Sequence, residues 1–147
     1  MKKFLVFFAF FVVLFTLTAC TKNYTVTFET NGGTEITEVT VEKDGSLTLP
    51  ANPSKTGYAF DGWFKDEALT TKWNAKTDKV TANITLYAKW NEIFTVTFNA
   101  NGGSSVAALD IVDGGKATKP TDPTKPGFTF DGWYKEAALT NAWNFAQ

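Results

Sequence analysis

The chain has 147 residues, and its 14 basic residues, all lysine, and 15 acidic residues give a net charge of −1. The absence of histidine excludes Ser-His-Asp and Cys-His catalysis and histidine-rich zinc sites. The absence of arginine removes the bidentate phosphate and guanine contacts that nucleic-acid binding uses, so no nucleic-acid partner is expected.

The first 20 residues have the pattern of a secretion signal. Lys2 and Lys3 precede an apolar run over residues 4–15, which is too short for a spanning helix of about 20 residues. Leu17-Thr-Ala-Cys20 resembles the lipobox of bacterial lipoproteins, which implies cleavage before Cys20 and a lipid on its thiol. We therefore predict a signal peptide over 1–19 and a lipidated linker over 20–23. The lipid on Cys20 would hold the chain at the outer face of the bacterial membrane, in the cell envelope.

Removing the signal takes away two lysines, so 12 positive charges remain against 15 acidic ones and the net charge becomes −3. A lipidated Cys20, the chain's single cysteine, leaves no thiol for a disulfide. Stability must then come from packing.

The rest of the chain is an internal repeat with an offset of 70 residues. The segment 24–33 returns as 94–103, and Gly57-Tyr-Ala-Phe-Asp-Gly-Trp-Phe-Lys returns from Gly127 onwards as Gly-Phe-Thr-Phe-Asp-Gly-Trp-Tyr-Lys. Such self-similarity indicates two copies of one structural unit. We predict repeat module 1 over 24–90 and repeat module 2 over 94–147.

Each module begins with a strand pattern. Tyr24, Val26 and Phe28 alternate with threonines. Asn31-Gly-Gly, whose residues tolerate positive φ, predicts a tight turn before the alternation resumes at residues 39–41. This pattern predicts a β-hairpin.

The second half of each module predicts more β-structure. Two prolines predict a loop over 50–57, and the apolar segment 58–64 predicts a strand that is covered on both faces. Asp66 could cap one helical turn over 66–69, and residues 84–90 alternate as a closing strand. No segment supports a long helix, so the predicted fold class is mainly β. The offset places the counterpart of 78–90 beyond Gln147, so module 2 is expected to lack its last strand and to have an unpaired sheet edge.

These motifs resemble a known family, the internalin B repeat, also called the Listeria/Bacteroides repeat. The resemblance rests on Thr25-Val-Thr-Phe with Asn31-Gly-Gly, on Gly57-Tyr-Ala-Phe-Asp-Gly-Trp-Phe, on Ala68-Leu with Trp73-Asn, and on residues 84–90. It implies β-grasp-like (ubiquitin-like) modules and a role in surface display or adhesion. It brings no catalytic residues and no cofactor.

Several residues suggest other chemistry. Asp61 and Asp131 lie among aromatics, where a carboxylate can act as an acid or base, but no second carboxylate keeps a fixed spacing in both copies. A structural role, such as hydrogen bonding to the following glycine turn, is the favoured interpretation. Gly114-Gly-Lys lacks the full phosphate-loop spacing and is interpreted as a turn. The acidic pairs at 110/113 and 66/67 lack a calcium-loop pattern, so no metal site is predicted.

The tryptophans could form a sugar-binding face, but a small domain must bury its few large side chains, so core packing is favoured. The predicted structural core of the two modules consists of Phe28, Phe60, Gly62, Trp63, Trp73, Trp90, Phe98, Phe130, Gly132, Trp133 and Trp143.

The sequence is best interpreted as a non-enzymatic, lipid-anchored surface protein whose modules serve adhesion or protein contact. A carbohydrate-binding surface module is the alternative, followed by an envelope hydrolase that works through carboxylates. The partner, a protein or a glycan, is not identified by the sequence.

Overall fold

The structure, a computed structural model, describes residues 21–145, so the predicted signal peptide and Cys20 lie outside the described residues. It contains five strands and, within residues 21–145, no helix, which confirms the mainly β fold class. The strands are β1 (Asn23–Glu29), β2 (Val39–Glu42), β3 (Tyr58–Phe64), β4 (Ile84–Val96) and β5 (Leu109–Val112).

The first repeat forms a four-stranded mixed sheet in the order β2-β1-β4-β3. β1 pairs antiparallel with β2 on one side and parallel with β4 on the other, with Val26 opposite Ile84 and Phe28 opposite Leu86. β3 pairs antiparallel with β4 on its far side. Alternation places Val26 and Phe28 on one face, and this face is covered by the loops.

The core of the first repeat is aromatic and aliphatic and contains no described charged side chain. Val26 and Leu86 are fully buried at the centre of the sheet, and Trp63 is 2% exposed. The remaining buried members of this cluster are Phe28, Val41, Leu47, Trp73, Val80 and Ala88.

β4 belongs to both repeats. Residues 87–92 pair with β3, and residues 93–96 of the same strand pair with β5. The Ile93 amide donates to the Gly57 carbonyl at 2.9 Å, and the Asp113 amide donates to the Glu92 carbonyl at 2.8 Å. The repeats are therefore joined by a hydrogen-bonded strand and not by a loop.

The second repeat keeps the turns of the first but has less regular structure. Residues 128–134, the counterpart of β3, carry isolated bridges at Phe128 and Tyr134 and form no strand within the described residues. In the first repeat β3 forms its backbone hydrogen bonds with β4. Within the described residues, no segment pairs with 128–134 in the way that β4 pairs with β3.

Two local predictions were wrong in detail. β1 and β2 pair as predicted, but the predicted tight turn does not join them directly. Val26 and Val39 form the last pair, so residues 27–38 connect the two strands, and Asn31-Gly32 makes a separate turn within this connection.

Residues 66–69 form a turn in place of the predicted helical turn. Leu69 has a φ of 55°, and the Asp66 carboxylate accepts hydrogen bonds from Thr70 and Thr71, which holds the chain in this turn.

Replacing Trp63 tests the core. Trp63→Ala should lower the free energy of unfolding by roughly 3–5 kcal/mol, because a buried aromatic side chain leaves a cavity. Phe94→Ala is a matched control, since Phe94 is 49% exposed and its loss should cost less than about 1.5 kcal/mol. Urea unfolding followed by near-ultraviolet circular dichroism measures both, and equal midpoints for the two variants would contradict this assignment.

Candidate functional site

An aromatic triad recurs in both repeats. In the first, the Trp63 ring lies edge-on to Phe28, with 4.9 Å between the ring centroids, and to Phe60, at 5.3 Å. In the second, Trp133 meets Phe98 at 4.8 Å and Phe130 at 5.2 Å. The near-equal distances show that both copies build the same aromatic centre. Gly62 and Gly132 precede the tryptophans with φ of 149° and 159°, a backbone region that favours glycine.

β4 covers the triad of the first repeat. Leu86 and Ala88 are buried against it, and the Trp90 ring lies 5.4 Å from Phe60. The Trp90 Nε1 donates to the Thr30 carbonyl at 2.8 Å, and the Asn31 Nδ2 donates to the Ala88 carbonyl at 2.8 Å. The Asn-Gly-Gly turn is therefore hydrogen-bonded to the middle of this strand.

The triad of the second repeat opens onto a groove of about 720 Å³, which we call the aromatic groove. Its walls come from residues 96–103 and 123–139, with Trp143 at one end. Phe128 is 70% exposed, Leu139 52% and Trp143 37%. Because this groove combines an aromatic lining with exposed apolar side chains, it is the candidate functional site.

A lysine lies at the rim of the aromatic groove. Lys125 Nζ donates to the Asn101 carbonyl at 2.8 Å and lies 4.5 Å from the centre of the Phe128 ring. In the first repeat Lys55 makes the same two contacts, to the Asn31 carbonyl at 2.9 Å and to the Tyr58 ring at 4.5 Å. This cation–π contact orders the rim in both copies.

The two aspartates of the Phe-Asp-Gly-Trp motif have different partners. Asp61 forms ion pairs with Lys72 at 3.1 Å and with Lys89 at 3.9 Å. Asp131 accepts a hydrogen bond from the Tyr134 hydroxyl at 2.6 Å, and this bond raises the pKa of Tyr134. Neither aspartate has a carboxylate partner in these contacts, so the arrangement gives no support to glycosidase-like chemistry.

A carboxylate fixes the turn after the aromatic segment in both repeats. Hydrogen bonds, the largest from the Thr70 amide, lower the pKa of Asp66 below its ordinary value of 3.8. The corresponding Glu136 has a pKa below 4.5, chiefly because the Thr140 hydroxyl donates to it. The Lys65 ammonium likewise lowers the pKa of Asp78, to which it lies 2.8 Å away.

The other tryptophans that were predicted to form the core differ in burial. Trp73 is 7% exposed and Trp90 is half-buried, whereas Trp143, which was also predicted in the core, is 37% exposed. Cys20 lies outside the described residues. The indole nitrogens of Trp63, Trp73 and Trp133 are buried without a hydrogen-bond partner. Because Trp63 and Trp133 share this feature, it reflects the packing of the repeat and does not indicate a ligand.

The segment Gly114-Gly115 lies in a turn, in agreement with its interpretation from the sequence. Among residues 21–145 no cluster of acidic, cysteine or histidine side chains could hold a metal ion. No described helix is long and apolar enough to cross a membrane.

Sequence reasoning missed the lysine at the rim of the aromatic groove. The signal for the lysine was present, since Lys55 and Lys125 lie three residues before an aromatic residue in both copies.

Comparison with known proteins identifies the repeats. Residues 24–89 and 94–147 each match the Listeria-Bacteroides repeat domain. Over 123 residues, 83% of this chain, the sequence is 46% identical to a protein of Evansella cellulosilytica that is named as a Gly-rich membrane protein, of which it covers 14%. It is 36% identical over 128 residues, 86% of this chain, to internalin H of Listeria monocytogenes, of which it covers 23%. The chain thus spans less than a quarter of the length of these relatives.

The turn carboxylates predict a pH dependence. Their folded-state pKa values are lowered, so their stabilisation is complete above the ordinary values of 3.8 and 4.5 and is lost as the pH falls towards the folded-state values. Thermal melts between pH 7 and pH 2.5 should therefore show a falling midpoint below about pH 4.5. Asp66→Asn with Glu136→Gln should weaken this dependence, with the part due to Asp78 remaining, whereas Glu67→Gln, at an exposed neighbour, should leave it unchanged. An unaltered slope in the double variant would contradict the assignment.

Proposed function

Because the chain belongs to the Listeria-Bacteroides repeat family, we propose that it is a non-enzymatic surface protein whose repeats bind a partner protein. The observation that carries this proposal is the aromatic groove, where Phe128, Leu139 and Trp143 present exposed apolar surface. Exposed aromatic surface of this kind is typical of interaction sites. The relatives named as a membrane protein and as internalin H support a location in the cell envelope.

The partner site should depend on Phe128. Phe128→Ser should weaken binding to a surface partner about tenfold or more, because an exposed aromatic anchor is lost from the groove. Phe94→Ser is the matched control, since Phe94 is also exposed but lies outside the groove lining. Surface plasmon resonance on candidate envelope and host proteins measures both variants. Equal weakening by the two substitutions would contradict the site.

A carbohydrate-binding module is the alternative function. Aromatic rings exposed in a groove can stack on the apolar faces of sugars, and Phe128 and Trp143 are available for this purpose. A glycan array with the parent chain and the Phe128→Ser variant distinguishes the two functions. Saturable glycan binding that Phe128→Ser abolishes would replace protein contact by carbohydrate binding.

We also propose that a lipid on Cys20 holds the protein at the membrane. The support comes from the sequence, where the single cysteine follows Leu-Thr-Ala and an apolar run. A stable anchor requires more than one acyl chain, since a single chain holds a protein only marginally. The membrane would then be contacted through lipid and not through a spanning segment.

The anchor can be tested in bacteria with radiolabelled palmitate. The full chain should incorporate label, and Cys20→Ser should abolish it, because the acyl chain needs this thiol. A control variant that combines Cys20→Ser with Ser46→Cys moves the thiol into the first repeat and should remain unlabelled. Label in the serine variant, or retention of that variant in carbonate-washed membranes, would overturn the lipid anchor.

The likeness of each repeat to a β-grasp module is likewise a proposal. The support comes from the first repeat, which has the strand order β2-β1-β4-β3 with a central parallel pair. The described residues contain no helix, and the connecting segments contribute Leu47 and Val80 to the buried core instead.

A further inference from the structure

We propose that the first repeat bears mechanical tension, and that the paired strands β1 and β4 are the part of it that resists being pulled apart. Tension along the chain enters this repeat at the start of β1 and leaves it at the end of β4. This role goes beyond protein contact. The proposed function supplies the source of the tension, since an anchor would precede the first repeat and a partner would bind the second.

The relative direction of the two strands determines how tension acts on them. β1 and β4 are neighbours and run parallel, with residues 26–29 opposite residues 84–87, and we call these eight residues the tension-bearing pair. The chain enters β1 at Asn23 and leaves β4 at Val96. Because the strands are parallel, these two points lie at opposite ends of the pair. Tension therefore pulls the strands past each other along their length and acts on all their backbone hydrogen bonds together.

The buried side chains of the same strands oppose this sliding. Val26 and Leu86 are fully buried, and Phe28 is buried beside them. A slip by one residue would turn Val26 and Phe28 to the outer face of the sheet, and a slip by two would carry each about 6–7 Å from its place in the core. Backbone bonds and apolar contacts are therefore lost in one step. Such a step has a high barrier, and the unfolding barrier governs resistance to force.

A side chain lengthens the pair by one hydrogen bond. Asn83 immediately precedes the first paired residue of β4, and its Oδ1 accepts from the Thr25 amide at 3.0 Å. Thr25 in turn immediately precedes the first paired residue of β1. The bond joins residues that are 58 positions apart in the sequence. It therefore adds to the bonds that tension must break at the same time.

Little free chain separates the tension-bearing pair from the two sources of tension. On one side Cys20, the proposed anchor, lies three residues before Asn23. On the other side β4 continues without interruption to Val96, and its residues 93–96 pair with β5 of the second repeat. A force between the membrane and the second repeat is therefore transmitted to the pair through a short linker and a continuous strand.

The pairing of β1 with β2 provides a comparison within the same sheet. These strands are antiparallel, with Asn23 opposite Glu42, and the Lys43 amide donates to the Lys22 carbonyl at 2.7 Å. Lys22 and Lys43 thus lie at the same end of the two strands. Tension between them opens the hydrogen bonds one after another from that end, so each bond resists the force alone.

Single-molecule force spectroscopy with two sets of attachment points is the direct test. The chain from residue 21 onwards contains no cysteine, so introduced cysteines define where the force acts. Lys22→Cys with Thr97→Cys slides β1 against β4, whereas Lys22→Cys with Lys43→Cys peels β2 from β1. All three positions are exposed. At one loading rate, the 22/97 attachment should rupture at several times the force of the first 22/43 event. Equal forces would overturn the inference and leave partner binding and the anchor untouched.

Two asparagine variants separate resistance to tension from general stability. Asn83→Ala removes the bond to the Thr25 amide, so it should lower the 22/97 rupture force and leave the 22/43 force unchanged. Asn52→Ala, at an exposed loop position, is the matched control and should change neither force. Thermal melts check that both variants are folded. An equal loss in both attachments would mean general destabilisation and would overturn the inference. An unchanged 22/97 force would overturn the place of Asn83 in the tension-bearing pair.

Discussion

The parallel pairing of β1 with β4 is the constraint on which the rest of the repeat depends. It places the first strand of the repeat beside its last at the centre of the sheet, with Val26 opposite Ile84 and Phe28 opposite Leu86. A parallel pair requires a long crossover connection, and residues 30–83 provide it. β2 and β3 occupy the two outer edges of this pair, which therefore forms the centre of the four-stranded sheet.

The same constraint explains how the two repeats differ. Their shared contacts agree, from the aromatic triads to the lysine at the rim, because these contacts join segments that both repeats contain. The first repeat adds a covering strand, which buries Leu86 and Ala88 against the triad. The described part of the second repeat exposes the equivalent surface, so the difference in burial between the two tryptophans, Trp63 and Trp133, follows from one strand.

The sequence predicted well those features that short-range patterns determine. Alternation at Tyr24, Val26 and Phe28 identified β1, and a continuous apolar segment identified β3. The turn at 66–69 was mispredicted because Asp66 binds the amides of Thr70 and Thr71 further along the chain, a choice of partners that helix capping rules do not distinguish. The ion pairs of Asp61 with Lys72 and Lys89 join different segments, and they depend on a sheet register that the sequence pattern does not contain.

The Asn-Gly-Gly turn shows how local and long-range requirements combine in one motif. Asn31 and Gly32 adopt positive φ, as turn chemistry predicts, but Gly33 does not, so conformation does not explain its presence. Its requirement is space, because the Trp90 ring lies where a Cβ would project. Asn31 meanwhile donates to the Ala88 carbonyl, and Thr30 accepts from the Trp90 indole. The motif therefore holds β4 by hydrogen bonds. Its third residue, Gly33, is required by a tertiary contact, the packing of the Trp90 ring, and not by the conformation of the turn.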